Sequence, residues 1–160
     1  MTTFTKWFLL NAVVTTALFF AETKGAISLM VKSDVSHLTI VIMTLYVFVS
    51  AMVGKMCYLA DSATRKSEKV SLMRRTEVGW FVAEHFFSLG LLGTVFGLCL
   101  ATSTSLNAGA EVSDIVAGLK TGLNTAFYTT ICGIVFSLPL QAQLMILKFK
   151  LGEKSDGSSK

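Results

Sequence analysis

Apolar residues form four long runs along this chain, and none of the runs contains a charged residue. The runs cover 7–21, 38–54, 86–110 and 121–147, while the charged residues lie between them. A helix needs about 20 mostly apolar residues to cross the hydrocarbon layer of a membrane, so each run predicts a span. The pattern therefore predicts an all-α membrane protein with four transmembrane helices.

The divisions of the chain follow from these runs. We predict a first transmembrane helix at 1–21, a second at 38–58, a short basic segment at 59–79, helices three and four at 80–150, and a tail at 151–160. The tail is polar and rich in glycine and serine, which favours disorder.

The links between the spans differ in composition. The link 55–78 is charged and lacks proline and glycine, so we expect long helices to continue into it and to meet at a turn near Ser67. The link 22–37 is short and mixed, and 102–113 is rich in Ser, Thr, Asn, Ala and Gly. Both of these are predicted to be loops.

Composition and charge add the orientation of the helices. The mean hydropathy is +0.64 and 15% of the residues are charged, which is too apolar for a soluble domain of this length. Most basic residues lie near the two termini and between the second and third spans, whereas Lys24, Lys32 and Lys120 lie in the other links. Since basic residues favour the cytoplasmic side, both termini and the 59–79 segment are predicted to be cytoplasmic. This distribution excludes a nucleic-acid-binding face.

The cysteines do not indicate a metal or redox site. Cys57, Cys99 and Cys132 are far apart and lack Cys-x-x-Cys or Cys/His spacing, so we interpret them as small packing residues. No catalytic motif occurs in the chain either. We predict no enzymatic activity, no cofactor and no metal.

The first run resembles a secretory signal in length and ends at Ala21. A cleavable signal would need a small residue where the chain has Phe19, so we predict a retained span. Cleavage of this segment is the alternative.

Small residues recur at three- and four-residue spacing in the last two runs, which places them on one helix face. In the third run they are Gly90, Gly93 or Thr94, Gly97 and Ala101, and in the fourth run and just before it they are Gly118, Gly122, Ala126, Thr130, Gly133 and Ser137. Such stripes let membrane helices approach closely, which is the simpler interpretation. The alternative is that their hydroxyl groups line a polar path through the membrane.

Two further features concern the interior of the spans. Pro139 leaves the Val135 carbonyl without its helical partner, which predicts a bend near Ser137.

No Asp or Glu lies deep in any run. Because proton relays through membranes usually need a titratable side chain, a proton path here would take its carboxylate from another protein.

Two segments in these runs form a recognisable pair, namely Gly90-Leu-Leu-Gly-Thr-Val-Phe-Gly97 and Gly122-Leu-Asn-Thr-Ala-Phe-Tyr-Thr-Thr-Ile-Cys-Gly-Ile-Val-Phe-Ser-Leu-Pro139. The pair resembles the MotA/TolQ/ExbB ion-channel family. The family has similar segments, in the same order, in two adjacent pore helices. The resemblance covers about residues 86–147, and the paired motifs are more specific than either one alone.

The resemblance implies a ring of identical subunits, a homopentamer, around the single membrane helices of a partner dimer of the MotB/TolR/ExbD type. The partner's aspartate carries the ion. Thr94 and Thr130 match the pore threonines that face that aspartate, and the wider predicted ion pathway comprises Thr94, Thr125, Thr129, Thr130 and Ser137. The predicted packing or partner-facing residues are Gly90, Gly93, Gly97, Ala101, Gly122, Ala126, Gly133 and Pro139.

The chain also departs from individual branches of the family. TolQ and ExbB usually have a glutamate where this chain has Thr125, and they have three spans. MotA has four spans but also a large cytoplasmic domain that grips a rotor, whereas the corresponding link here is short. Binding to a flagellar rotor is therefore not expected.

We interpret the chain as a subunit of an ion-driven motor or channel in the bacterial inner membrane, conducting protons or sodium ions and converting their flow into mechanical work. Two alternatives stay open at this point. One is a structural or pore-forming membrane protein, such as a scaffold or a phage lesion protein. The other is a small secondary transporter with a broken fourth helix.

Overall fold

The chain folds into helices throughout the residues that the structure, a computed structural model, describes, namely 2–63, 66–105 and 111–156. The helices are α1 (Thr3–Thr23), α2 (Ala26–Ser33), α3 (Leu38–Ser62), α4 (Lys66–Ser105) and α5 (Val112–Asp156). Four of them, α1, α3, α4 and α5, are long and apolar enough to cross a membrane. The predicted all-α architecture with four candidate spans is confirmed.

Consecutive long helices run in opposite directions, so the bundle has two ends. The α2 end contains α2 and the start of α5, because the Thr125 hydroxyl donates a hydrogen bond to the Ser33 carbonyl. The opposite end contains the start of α1 and the end of α3, because the Thr3 amide donates to Asp61. The prediction from charge would place the α2 end outside the cytoplasm.

The core lies between α3, α4 and α5. Its largest fully buried apolar side chains are Ile42 and Val53 of α3, Phe86 of α4, and Leu140, Leu144 and Leu147 of α5. In contrast, the helix α1 buries only Thr3. The first span is therefore a peripheral helix, while α4 and α5 form the most extensive helix pair in the bundle.

The link predicted as a loop at 22–37 contains structure that the sequence pattern did not indicate. Helix α1 continues to Thr23, and α2 occupies half of the link. Gly25 separates the two helices with a φ of 73°, a left-handed conformation that glycine adopts without strain. The segment is thus a compact helical connection, and this prediction was wrong.

The junction between the second and third spans lies earlier than predicted. Helix α3 continues to Ser62 and α4 begins at Lys66, so Ser67 is helical rather than part of a turn. Residues 64–65 lie outside the described residues. The expected continuation of both helices beyond their apolar runs is present, because this link contains good helix formers.

The last two predicted irregular segments are also shorter than expected. Helix α4 continues to Ser105 and α5 begins at Val112, so helix covers both ends of the predicted 102–113 loop. Helix α5 then continues to Asp156, into the predicted tail. The remainders of these segments, 106–110 and 157–160, lie outside the described residues. Polar composition alone did not end either helix.

Candidate functional site

The two stripes of small residues face each other along the contact between α4 and α5. A Cβ atom added to Gly133 would lie 2.8 Å from the Phe86 carbonyl oxygen and 3.0 Å from the Gly90 Cα atom. One added to Gly97 would lie 2.5 Å from the Gly122 carbonyl oxygen. The backbones of the two helices are therefore in direct contact, which only glycine allows at these positions.

The same contact continues toward the α2 end of the helix pair. Near the α2 end, a Cβ atom on Gly122 would lie 2.6 Å from the Ala101 Cβ atom, and one on Gly97 would lie 3.0 Å from the Ala126 Cβ atom. The remaining glycine of the stripe, Gly93, packs against Thr129. All of these packing residues meet within one chain, so the described contacts do not require a second copy or a partner.

Thr94 and Thr130 meet across this contact. Their hydroxyl groups form a short hydrogen bond with each other, and both side chains are half-buried. Thr130 also donates to the Ala126 carbonyl at 3.0 Å, and the Gly90 carbonyl lies 3.3 Å from either hydroxyl. Two hydroxyls and two carbonyls thus form a partly accessible polar patch, which we call the threonine pair.

The other three residues of the predicted ion pathway lie inside the chain. Thr129 is fully buried and donates to the Thr125 carbonyl at 2.8 Å. Thr125 is also fully buried, and Ser137 donates to the Ala83 carbonyl at 2.9 Å. Because neighbouring helices cover these hydroxyls, they do not reach a surface of the single chain. The prediction that all five hydroxyls belong to one ion path stays a prediction.

Helix α5 is continuous through Pro139. The proline ring is half-buried, and Gln141 donates to the Ser137 hydroxyl at 3.0 Å within the same turn of helix. The bend near Ser137 stays a prediction.

Comparison with known protein families finds a match that includes α4 and α5. A model of the MotA/TolQ/ExbB proton channel family matches residues 59–156, which include all described residues of α4 and α5. The match covers more than half of the chain. The chain belongs to this family. Neither a curated protein nor a solved structure matches the chain.

Family membership confirms the resemblance drawn from the paired glycine and threonine motifs. With four candidate spans, this member of the family is a multi-pass membrane protein and a component of an ion-driven channel or motor. The family is one of proton channels rather than of enzymes.

A buried polar network links α5 of this family member to α1 and α3. Gln143, on α5, has 0% of its surface exposed, and its Oε1 atom accepts from Trp7 Nε1 at 3.1 Å and from the Ser50 hydroxyl at 3.0 Å. Its Nε2 atom donates to Asn11 and Tyr46, each at 3.3 Å. Inside a membrane these groups have no water to bind, so the network holds the three helices together.

We expect Gln143→Leu to destabilise the protein by about 1–3 kcal/mol, because it leaves the indole N–H of Trp7 without its acceptor in the membrane. The thermal unfolding midpoint in mild detergent measures the effect. Gln141→Leu is the matched control, since the Gln141 side chain donates only to Ser137 of its own helix. Equal midpoints for the two variants would contradict a role of the network in joining the helices.

The start of α1 is fixed by a second set of contacts. The Asp61 carboxylate accepts from the amides of Thr3 at 3.0 Å and Phe4 at 2.9 Å, two of the amides that a helix N-terminus leaves free. Farther along, the Trp7 ring lies over Gly54, where an added Cβ atom would be 2.5 Å from it. These contacts attach the start of α1 to α3, and the retention of the first span stays a prediction.

The link between α2 and α3 contains a buried carboxylate, Asp34, with 2% of its surface exposed. Burial by itself raises the pKa of Asp34, but hydrogen bonds from Ser36 and Thr39 outweigh it and lower the pKa below its usual value. The group therefore contributes stability above the pKa of an unfolded aspartate. This contribution is lost as the pH falls through the lower folded pKa.

Sequence reasoning missed Gln143, Asn11, Asp61 and Asp34. The apolar runs are defined by the absence of charged residues, and the uncharged Asn11 and Gln143 therefore lie inside them without interrupting the pattern. An amide inside a span is itself a signal, because it needs a partner there. Asp34 and Asp61 lie at or near the ends of predicted spans, where carboxylates are common. Their sequence context therefore does not distinguish them from ordinary carboxylates at the membrane surface.

Proposed function

We propose that this chain is the ring-forming subunit of an ion-driven motor or channel of the bacterial inner membrane. Copies of it, assembled as a pentamer, surround a dimer of a partner of the MotB/TolR/ExbD type. Each partner has one membrane helix with an aspartate. Protons or sodium ions pass between that aspartate and the ring, and their flow drives mechanical work. Both termini face the cytoplasm.

The observation that supports this function best is the threonine pair. It is the place on the α4–α5 contact where side-chain hydroxyls meet and stay partly accessible. Thr125, Thr129 and Ser137 are buried behind it. A hydroxyl both donates and accepts hydrogen bonds, so the threonine pair can bind a carboxylate in either protonation state or contribute oxygen atoms to a cation.

The chain itself does not supply the carboxylate. The runs that form the centres of α4 and α5 contain hydroxyl and amide side chains but no Asp or Glu. An ion path through hydrocarbon usually includes a titratable group. The aspartate of a partner helix lying against the threonine pair provides that group.

Large apolar side chains cover the surface of α4 on either side of the glycine stripe. Leu91, Leu92, Val95 and Phe96 have 45%, 56%, 60% and 47% of their surfaces exposed in the single chain. In a membrane these side chains contact lipid or another protein. A neighbouring copy and the partner helix would cover them in the assembled ring.

Native mass spectrometry tests the proposal. The chain is expressed with its neighbouring genes, purified in mild detergent and weighed as an intact complex. We expect a pentamer together with a dimer of a small single-span protein. A monomer, or an assembly without such a partner, would contradict the proposal and favour a transporter or a pore-forming lesion protein.

A further inference from the structure

The Asp34 carboxylate organises the turn that precedes α3. Its Oδ1 atom accepts from the Ser36 amide at 2.9 Å and from the Ser36 hydroxyl at 2.5 Å, and its Oδ2 atom accepts from the Thr39 amide at 2.7 Å. Two of these donors belong to Ser36, in the turn formed by residues 33–36, which we call the Asp34 turn, and the third belongs to Thr39, in α3. The carboxylate thus ties this turn to the first turn of α3.

The Asp34 turn is attached to the pore helix α5 at one hydroxyl. Thr125 donates to the Ser33 carbonyl at 3.2 Å and accepts from the Val35 amide at 3.3 Å. These two backbone groups flank Asp34 on either side. A single α5 side chain, fully buried, therefore satisfies both backbone groups that the turn presents to it.

If Asp34 only capped the N-terminus of α3, the Asp34 turn would not need its contact with Thr125. Glu22 shows the difference, since its carboxylate accepts from the amide of Ser28 at 3.0 Å and from the Ser28 hydroxyl at 2.5 Å. The Glu22 arrangement is exposed, whereas the Asp34 turn is buried against α5. Near the turn, the buried Thr39 hydroxyl has no hydrogen-bond partner among the described residues, whereas the Thr39 amide donates to Asp34.

The position of Thr125 affects the geometry of the threonine pair, because Thr125 and Thr130 are both on α5. Thr129 lies one helical turn farther along α5 and packs against Gly93, and Thr130 follows it and meets Thr94. A helix moves as a rigid rod over this distance, since each residue is joined to the one four positions away. A shift or rotation of α5 at Thr125 would therefore displace Thr130 from Thr94.

We propose that Asp34 is a positioning residue of the ion path. It holds the Asp34 turn on Thr125 and thereby keeps α5 in the register that places Thr130 opposite Thr94. This inference rests on the proposed function, because it assigns Asp34 to the ion path through the threonine pair. Three donors point at the carboxylate, so its role is to organise hydrogen bonds and not to bind a metal ion.

The first test uses Cys132 as a probe of the contact. Its thiol is buried and donates to the Thr39 carbonyl at 3.9 Å, beside the Asp34 turn. Alkylation by N-ethylmaleimide in the folded complex is followed by peptide mass mapping. In Asp34→Asn an amide replaces one acceptor oxygen, so we expect Cys132 to react about tenfold faster or more. Thr125→Val should have the same effect.

Controls separate local loosening from unfolding. Glu22→Gln should leave the reaction of Cys132 unchanged, because it alters an exposed carboxylate with the same kind of donors. Cys57, buried in α3, should stay unreactive in every variant. The double variant Asp34→Asn with Thr125→Val should react no faster than the faster single variant, since both changes break one contact. An unchanged Cys132 rate in Asp34→Asn would overturn the inference.

The second test measures ion flux in proteoliposomes containing the complex with its partner. We expect several-fold lower flux in Asp34→Asn and Thr125→Val, and recovery in Thr125→Ser, which keeps the hydroxyl. If Asp34→Asn passes ions as fast as the wild type, the inference is overturned and the proposed function stays intact. A wild-type complex that passes no ions would overturn the proposed function and, with it, the role of Asp34 in an ion path.

Discussion

Replacing Gly97 with leucine should prevent the chain from folding into its helix pair. A Cβ atom at this position would lie 2.5 Å from the Gly122 carbonyl oxygen and 2.7 Å from the Ala126 amide nitrogen. Both are backbone atoms, so no side-chain rotation relieves the overlap. The helices would have to separate, and the cost should exceed about 3 kcal/mol, at the upper end for overpacked sites. The yield of monodisperse protein in detergent measures the effect.

Gly152 provides the matched control for this experiment. It lies in the same helix as Gly122, and an added Cβ atom would meet nothing within 4 Å. Gly152→Leu should therefore keep the normal yield, and Gly152→Ala should be neutral or stabilise the protein by up to about 1 kcal/mol. If Gly97→Leu yields as much stable protein as Gly152→Leu, then α4 and α5 do not pack as closely as the structure shows.

Thr130→Val should abolish ion-driven flux while leaving the assembly intact. Valine keeps the shape and β-branching of threonine, so packing is conserved, but it removes the hydroxyl that meets Thr94. Only the polar patch changes. We expect the flux of the reconstituted complex to fall by at least about tenfold, which corresponds to about 1.4 kcal/mol on the barrier. Proton uptake into proteoliposomes, followed with a pH-sensitive dye, measures it.

The control is another Thr→Val change on the same helix. The Thr121 hydroxyl is exposed and donates to the Ala117 carbonyl at 3.0 Å within α5, away from the threonine pair. Thr121→Val should therefore keep normal flux. Native mass spectrometry must show the same assembly for both variants. Full flux in Thr130→Val would remove the threonine pair from the ion path.

The spans and the family could be predicted because both depend on local sequence. A run such as 121–147 is apolar whatever surrounds it, so hydropathy alone identifies a helix that crosses the membrane. The paired motifs around Gly97 and Thr130 are likewise contiguous. Helix ends were predicted less well, because α4 and α5 continue into polar segments whose side chains are compatible with helix.

The threonines of α5 show why the candidate site could be predicted only in part. Thr129 and Thr130 are neighbours in sequence, but side chains of consecutive helical residues point about 100° apart. Thr129 is buried against Gly93, while Thr130 meets Thr94 and stays partly accessible. The sequence identifies both as hydroxyl groups in a stripe of small residues. Which of them faces inward depends on how α5 is rotated against α4.

By itself, the sequence determined that this protein has four apolar helices, that two of them each have a stripe of small residues along one face, and that their motifs are those of a proton channel family. These properties are local, since they depend on residue type and spacing along one helix. The tertiary structure alone decided that the stripes meet within one chain, that Gln143 joins α1 to α5, and that the backbone on either side of Asp34 contacts α5 at Thr125. Each of these brings together residues far apart in the chain, and their partners follow from how the helices pack.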